Sequence, residues 1–341
     1  GAGDAFLSTF TGTEIVQFAG GWTDTTFTST KNVYALRVDE ESGTNDMIFT
    51  GGQINIWSGG LIAGADDTNR VNFDTTNVYF GNGTTPVEGF VYGGHSSTNT
   101  RFGGVVTASG LTLTGPGGFQ FTNTTNAITG NVQLNGGTLF VDGVGTLGTA
   151  SSIILHANHA NNFDGGQMPF LSLRTNNNAA ATYTHGVVVG ENVPNATIQV
   201  SRFTGTSTTA TTVTIPSLTV QGTSGPAGTN LVINSAATHS LVVSGASTFS
   251  GSSPISININ AERLQFSAGL TSSAPIYKWG DGQLRFDASN TTMTSPITLS
   301  RGEIRAVGNN ANTFGTGDYT LNFGQIRMSR NGGGATHLNA A

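Results

Sequence analysis

Short apolar strands recur along this chain at a nearly fixed spacing, and that repetition restricts the possible folds more than any single motif does. Ile54-Asn55-Ile56, Leu111-Thr112-Leu113, Val132-Gln133-Leu134, Leu241-Val242-Val243 and Ile255-Ser256-Ile257-Asn258-Ile259 are each bounded by Gly, Asn or Ser. Their period-two alternation reads as strand with one face buried. Two long segments superpose at an offset of 165 residues: Phe119 falls on Leu284, Phe121 on Phe286, Ile128 on Met293, Val132 on Ile297, Gly137 on Gly302 and Leu139 on Ile304. After a two-residue shift, Leu147-Gly148-Thr149 matches Phe314-Gly315-Thr316. A third copy runs from Leu241 to Leu264-Gln265-Phe266. Within copies, equivalent strands lie 20 residues apart (Phe119 to Leu139, Leu284 to Ile304) or 23 apart (Leu241 to Leu264).

That spacing is the length of one coil of a parallel β-solenoid. A single coil cannot bury its apolar strand alone, so coils must stack. The expected fold is all-β, a right-handed parallel β-helix with roughly 20–23 residues per coil. Residues 1–341 read as one elongated solenoid, with 1–49 a less regular segment suited to capping or subunit docking. No amphipathic capping helix is legible at either end. The loops around His156 to Val200 interrupt the pattern and read as longer protrusions from coils.

Composition agrees with this geometry. The chain has 49 Gly among 341 residues, only 9% charged residues and no Cys. Gly and Asn suit corners that need positive φ, while outward Thr and Ser give β-propensity without charge. In-register stacking places like residues above one another, so charge on outward positions would repel itself. The absence of Cys excludes disulfides and thiolate metal sites. Lys31 and Lys278 are the only lysines, and the Arg residues are dispersed along a chain of net charge −6. A basic stripe is therefore not legible, and nucleic acid is not an expected partner. No apolar run approaches the ~18 residues of a membrane-spanning helix. The opening Gly1-Ala2-Gly3-Asp4 reads as a processed or trimmed chain.

Solenoids also host polysaccharide-cleaving enzymes, whose paired carboxylates would fall on neighbouring coils. Asp142 and Asp164 are 22 residues apart, as are Asp281 and Glu303. The acid-rich N-terminal stretch offers Asp4, Asp24, Asp46, Asp66, Asp67 and Glu88, a ladder that calcium would suit. Solvated loop acids explain the same spacing more simply. His156 and His159 with Asp164 resemble a metal set, but residues three apart on a strand face opposite ways, which favours a surface loop. Trp22, Trp57 and Trp279 are suited to stacking on sugars or to packing in the core. Asn195 and Asn290 begin N-x-T triplets, which arise readily by chance in an Asn- and Thr-rich chain. No catalytic, cofactor or metal site is assigned from these residues.

Ile128-Thr129-Gly130-Asn131-Val132-Gln133-Leu134-Asn135-Gly136-Gly137-Thr138-Leu139 resembles the autotransporter passenger-associated repeat. Lys278-Trp279-Gly280-Asp281-Gly282-Gln283-Leu284-Arg285-Phe286, continuing through Gly302-Glu303-Ile304 to Phe314-Gly315-Thr316-Gly317, does so too. The resemblance implies a right-handed β-helix on a bacterial surface, mostly serving as stalk. The expected function is a non-enzymatic extracellular structural protein, a stalk, adhesin or filament subunit joined head-to-tail with copies of itself through its solenoid ends. The alternatives are a carbohydrate-active β-helix, lyase, hydrolase or tailspike-like, with a groove around His156 to Asn178 and Arg174, and an adhesion module that binds surface glycans.

Overall fold

The computed structural model of the protein describes residues 2–18, 24–39, 46–64, 70–94, 99–157, 168–176, 179–204, 210–222, 228–235, 239–290, 292–308, 313–329 and 336–339. The chain divides into two compact units, Gly1–Ile153 with Asn158–Pro169, and Ile154–Ala157 with Phe170–Ala341. Each is a β-solenoid whose named strands are almost all paired in parallel, as the strand spacing predicts.

In the first unit the chain visits three faces per coil. Strands Ile15–Phe18, Thr25–Thr26 and Thr30–Val33 form one coil, and Ala35–Asp39, Met47–Thr50 and Gln53–Ile56 the next. Each strand pairs with its counterpart one coil on: Val16 with Leu36, Thr25 with Phe49 and Lys31 with Ile54. Alternation sends one residue set inward, so register builds continuous apolar columns. Val16, Leu36, Leu61, Val91, Leu113 and Leu134 form one such buried column. Phe49, Phe73, Phe102 and Phe121 form another. Their rings stack with centroids 5.1, 5.5 and 4.9 Å apart. Those separations match the ~4.8 Å rise between hydrogen-bonded strands, so coil stacking itself sets the ring stacking.

A short helix, Ala2–Leu7, packs against strands Thr25–Thr26 and Thr30–Val33. Phe6 meets Phe18 edge-on at 5.9 Å, and Leu7 is buried. The helix has six residues, one of them Gly3, so too little amphipathic pattern exists for it to be legible in the sequence.

The second unit repeats the design. Leu241, Leu264, Leu284, Ile304 and Ile326 form one inward column, and Val243, Phe266, Phe286, Ala306 and Met328 run beside it. The sequence spacings Phe119–Leu139, Leu284–Ile304 and Leu241–Leu264 are all register pairs between adjacent coils. Coil length varies more widely than 20–23, from 19 residues between Phe102 and Phe121 to 35 between Ile198 and Ile233. Corners absorb the difference as loops, while the strands keep their register. The final strand, Thr336–Asn339, turns back antiparallel along Gln325–Ser329.

The aligned segments share their corner chemistry. Gly137 and Gly302 have φ of +73° and +81°, and a Cβ would stand 2.4 Å from the Gly117 carbonyl oxygen and 2.5 Å from that of Gly280. Only glycine tolerates both constraints. Asn126 accepts from Val106 N–H at 2.7 Å and donates to Thr146 O at 2.7 Å, tying three coils at one corner. Asn290 repeats this with Leu270 N–H and Thr313 O.

Candidate functional site

Several of the acids picked out by coil spacing are engaged by a neighbouring coil. Asp142 is 5% exposed and accepts from Gln120 Nε2 at 2.7 Å. Asp281 is ion-paired with Arg301, whereas Glu303 accepts from Gln283 Nε2 at 2.8 Å. Asp281 and Glu303 thus take separate partners rather than face one reacting atom. Asp24 accepts from Ile48 N–H at 3.2 Å and Asp46 from Arg70 N–H at 2.9 Å, so both hold backbone donors of the following coil. Glu88 accepts from Thr112 Oγ1 at 2.6 Å. Asp66, Asp67, His159, Asp164 and Trp22 lie outside the described residues. Arg174 lies in strand Phe170–Asn176, in register with Ser201. Asn290 is 1% exposed with both amide atoms hydrogen-bonded, which removes it as a glycosylation acceptor in the folded chain.

A recurring pair escaped the sequence reading. Gln17 donates to Asp39 at 3.0 Å, Gln120 to Asp142 at 2.7 Å and Gln265 to Asp287 at 2.6 Å. Each glutamine precedes its aspartate by one coil of 22 residues; Asp39 and Asp142 end their strands, and Asp287 directly follows one. A Gln-to-Asp count at coil spacing would have found these pairs, whereas an acid-to-acid count found only their echo.

Two surface features stand apart from this stacking network. The first lies on the outer side of strands Ile15–Phe18, Ala35–Asp39, Gly60–Gly64 and Glu88–Gly93. Phe90 is in register with Gly60, and a Cβ added at Gly60 would lie 3.8 Å from the Ala35 Cβ. The missing side chain at Gly60 leaves a shallow apolar cavity of about 380 Å³ between Phe90 and Ile15. Ile62 and Tyr92 form its second side, and Phe90 is 51% exposed. The Trp57 ring lies over the Gly12 corner and is 38% exposed, and Trp279 is 49% exposed.

The second feature corrects the reading of dispersed positive charge. Arg285, Arg305 and Arg327 are in register on successive coils of the second unit, so residues 20 and 22 apart in sequence become a basic column. The stripe invisible along the chain is assembled by the solenoid.

Lys278 is the exception inside the core. It occupies an inward column between Ile257 and Leu299 and is completely buried. Its ammonium donates to the carbonyl oxygens of Trp279 (2.6 Å), Gly280 (2.7 Å) and Arg301 (3.0 Å). Burial lowers its pKa to about 7, with the charge of Asp281 opposing that shift. Lys31 is likewise buried, donating to Ser8 Oγ at 2.6 Å and Ser29 Oγ at 3.1 Å.

No protein-family model matches the chain, and no curated protein or solved structure gives a significant match. Among the described residues no group of three or more His, Asp and Glu converges as a metal set, and no helix is long and apolar enough to cross a membrane.

Proposed function

We propose that this is a non-enzymatic structural protein of a bacterial surface, a β-helical stalk, adhesin or filament subunit of the kind the autotransporter-like repeats imply. The observation that carries this reading is the use made of the acids. Asp142, Glu303, Asp24 and Asp46 bind the adjoining coil, so their chemistry is invested in stacking. Incubation with a panel of polysaccharides is expected to release no new reducing ends. Release that disappears in Asp142→Asn would replace this reading with the carbohydrate-active one.

A second reading, adhesion through the outer face of the first unit, is favoured by the groove at Phe90. Isolated exposed hydrophobics are ordinary, but contiguous ones on a sheet face mark contact surfaces. Expected partners are surface glycans or further copies of the chain. Adhesion of chain-coated beads to glycan-displaying surfaces is expected to fall in the Phe90→Ser, Tyr92→Ser double variant. Light scattering over a concentration series tests head-to-tail assembly, because a subunit mass that stays constant removes it.

A further inference from the structure

The basic column of the second unit is a built feature in which Arg285 is ion-paired with Asp287, while among the described residues no ion pair holds Arg305 or Arg327. Arg285 is in register with Arg305, and Arg305 with Arg327, placing three guanidinium groups at successive ~4.8 Å steps. Arg263 heads the neighbouring column, in register with Gln283, which is followed by Glu303 and Gln325. The two carboxylates alongside are both committed. Asp287 accepts from Arg285 Nε at 2.6 Å and from Gln265 at 2.6 Å, and Glu303 accepts from Gln283. The Nε atoms of Arg263, Arg305 and Arg327 are buried without a hydrogen-bond partner. Arg305 is depressed below its ordinary pKa by burial, and further by Arg327 and Arg285, so the column is strained by its own charge.

We propose that Arg305 and Arg327, stacked on the Asp287-paired Arg285, bind the carboxylates of a linear acidic polysaccharide, a uronate polymer lying along the column. A planar guanidinium matches a carboxylate in bidentate fashion, and a column of them matches a chain that repeats its carboxylates. Neither outward column carries an aromatic residue on which a nucleobase would stack. A second copy of the chain would need an acidic column of the same period. The stacked acids Asp24 and Asp46 already accept backbone N–H groups. Binding here does not depend on the apolar groove of the first unit.

Fluorescein-labelled oligogalacturonate titrated with the full chain at low salt tests the assignment by anisotropy. Saturable binding is expected, weakening with salt as about two ion contacts require. Arg305→Gln and Arg327→Gln should each weaken binding roughly tenfold, and the double variant about a hundredfold. Arg101→Gln, which breaks an ion pair with Asp74 in the first unit, should leave binding unchanged. Without ligand, Arg305→Gln should melt no lower than the parent, because it removes like-charge repulsion, and this separates lost binding from lost folding. Wild-type affinity in the double variant would overturn the proposal. So would equal binding of neutral dextran, or tighter binding of a single-stranded oligonucleotide of the same charge. Oligomers of the chain that dissociate in Arg305→Gln, with no uronate binding, would instead assign the column to self-association and overturn it too.

Discussion

The two units apply one stacking rule to different residues. In the first, an inward column holds Phe49, Phe73, Phe102 and Phe121 as a stack of rings. In the second, the corresponding kind of column is aliphatic but contains Lys278 between Ile257 and Leu299. Outer faces differ as well: an apolar groove around Phe90 in the first unit, an arginine column in the second. Charge follows the same division, with thirteen acids against four Lys and Arg in the first unit and six against nine in the second. The contrast shows that in-register stacking multiplies whatever a position carries. Aromatic positions become ring stacks and cationic positions become columns, so a modest local bias acquires a long-range chemical identity.

The comparison breaks most severely at the phenylalanine stack. Phe73→Ala should cost about 3–5 kcal/mol in urea denaturation followed by circular dichroism, since it opens a cavity between two stacked rings. A loss under ~1 kcal/mol would mean that ring stacking contributes little beyond what an aliphatic column supplies. Lys278 should make the second unit pH-sensitive. Its pKa is about 7 when folded, against an ordinary 10.5, so the unfolded chain binds the extra proton between those values. Stability should therefore rise from pH 7 towards pH 10.5, by roughly 2–4 kcal/mol, and level off below pH 7, where folded and unfolded chains both carry the proton. Lys278→Met should flatten that rise, and an unchanged slope would assign it to other groups.

Gly302→Ala should cost about 2 kcal/mol, because its φ of +81° and the nearby Gly280 oxygen both oppose a Cβ. Gly137→Ala should cost nearly the same, and a large disparity would show that the aligned corners are not equivalent. Asp142→Asn should cost about 1 kcal/mol by weakening the charge-assisted bond from Gln120. Asp39→Asn removes the same kind of bond in an earlier coil, although Arg37 also pairs with that carboxylate.

Much of the fold was legible because its signal is local. Alternation in Leu111-Thr112-Leu113 and the glycines at 137 and 302 fix strands and corners without knowledge of distant partners. The sites were less legible because they depend on register across coils of unequal length. Arg285, Arg305 and Arg327 meet only after intervening corners of different size have been traversed. Lys278 was hidden for a related reason. Alternation in Ile276-Tyr277-Lys278-Trp279 suggests Tyr277 and Trp279 for the core and the lysine for solvent. Register with Ile257 and Leu299 instead turns Lys278 inward and exposes both aromatics. Column neighbours outrank the hydrophobicity of a single residue.

The burial of Lys31 and Lys278 has a practical side. These are the chain's two lysines, 2% and 0% exposed. Folded, the protein offers no lysine amine to acylating labels, to aldehyde fixation or to a protease that needs lysine in its specificity pocket. Amine-directed conjugation would thus report unfolding: each modified lysine would mark a coil that had opened.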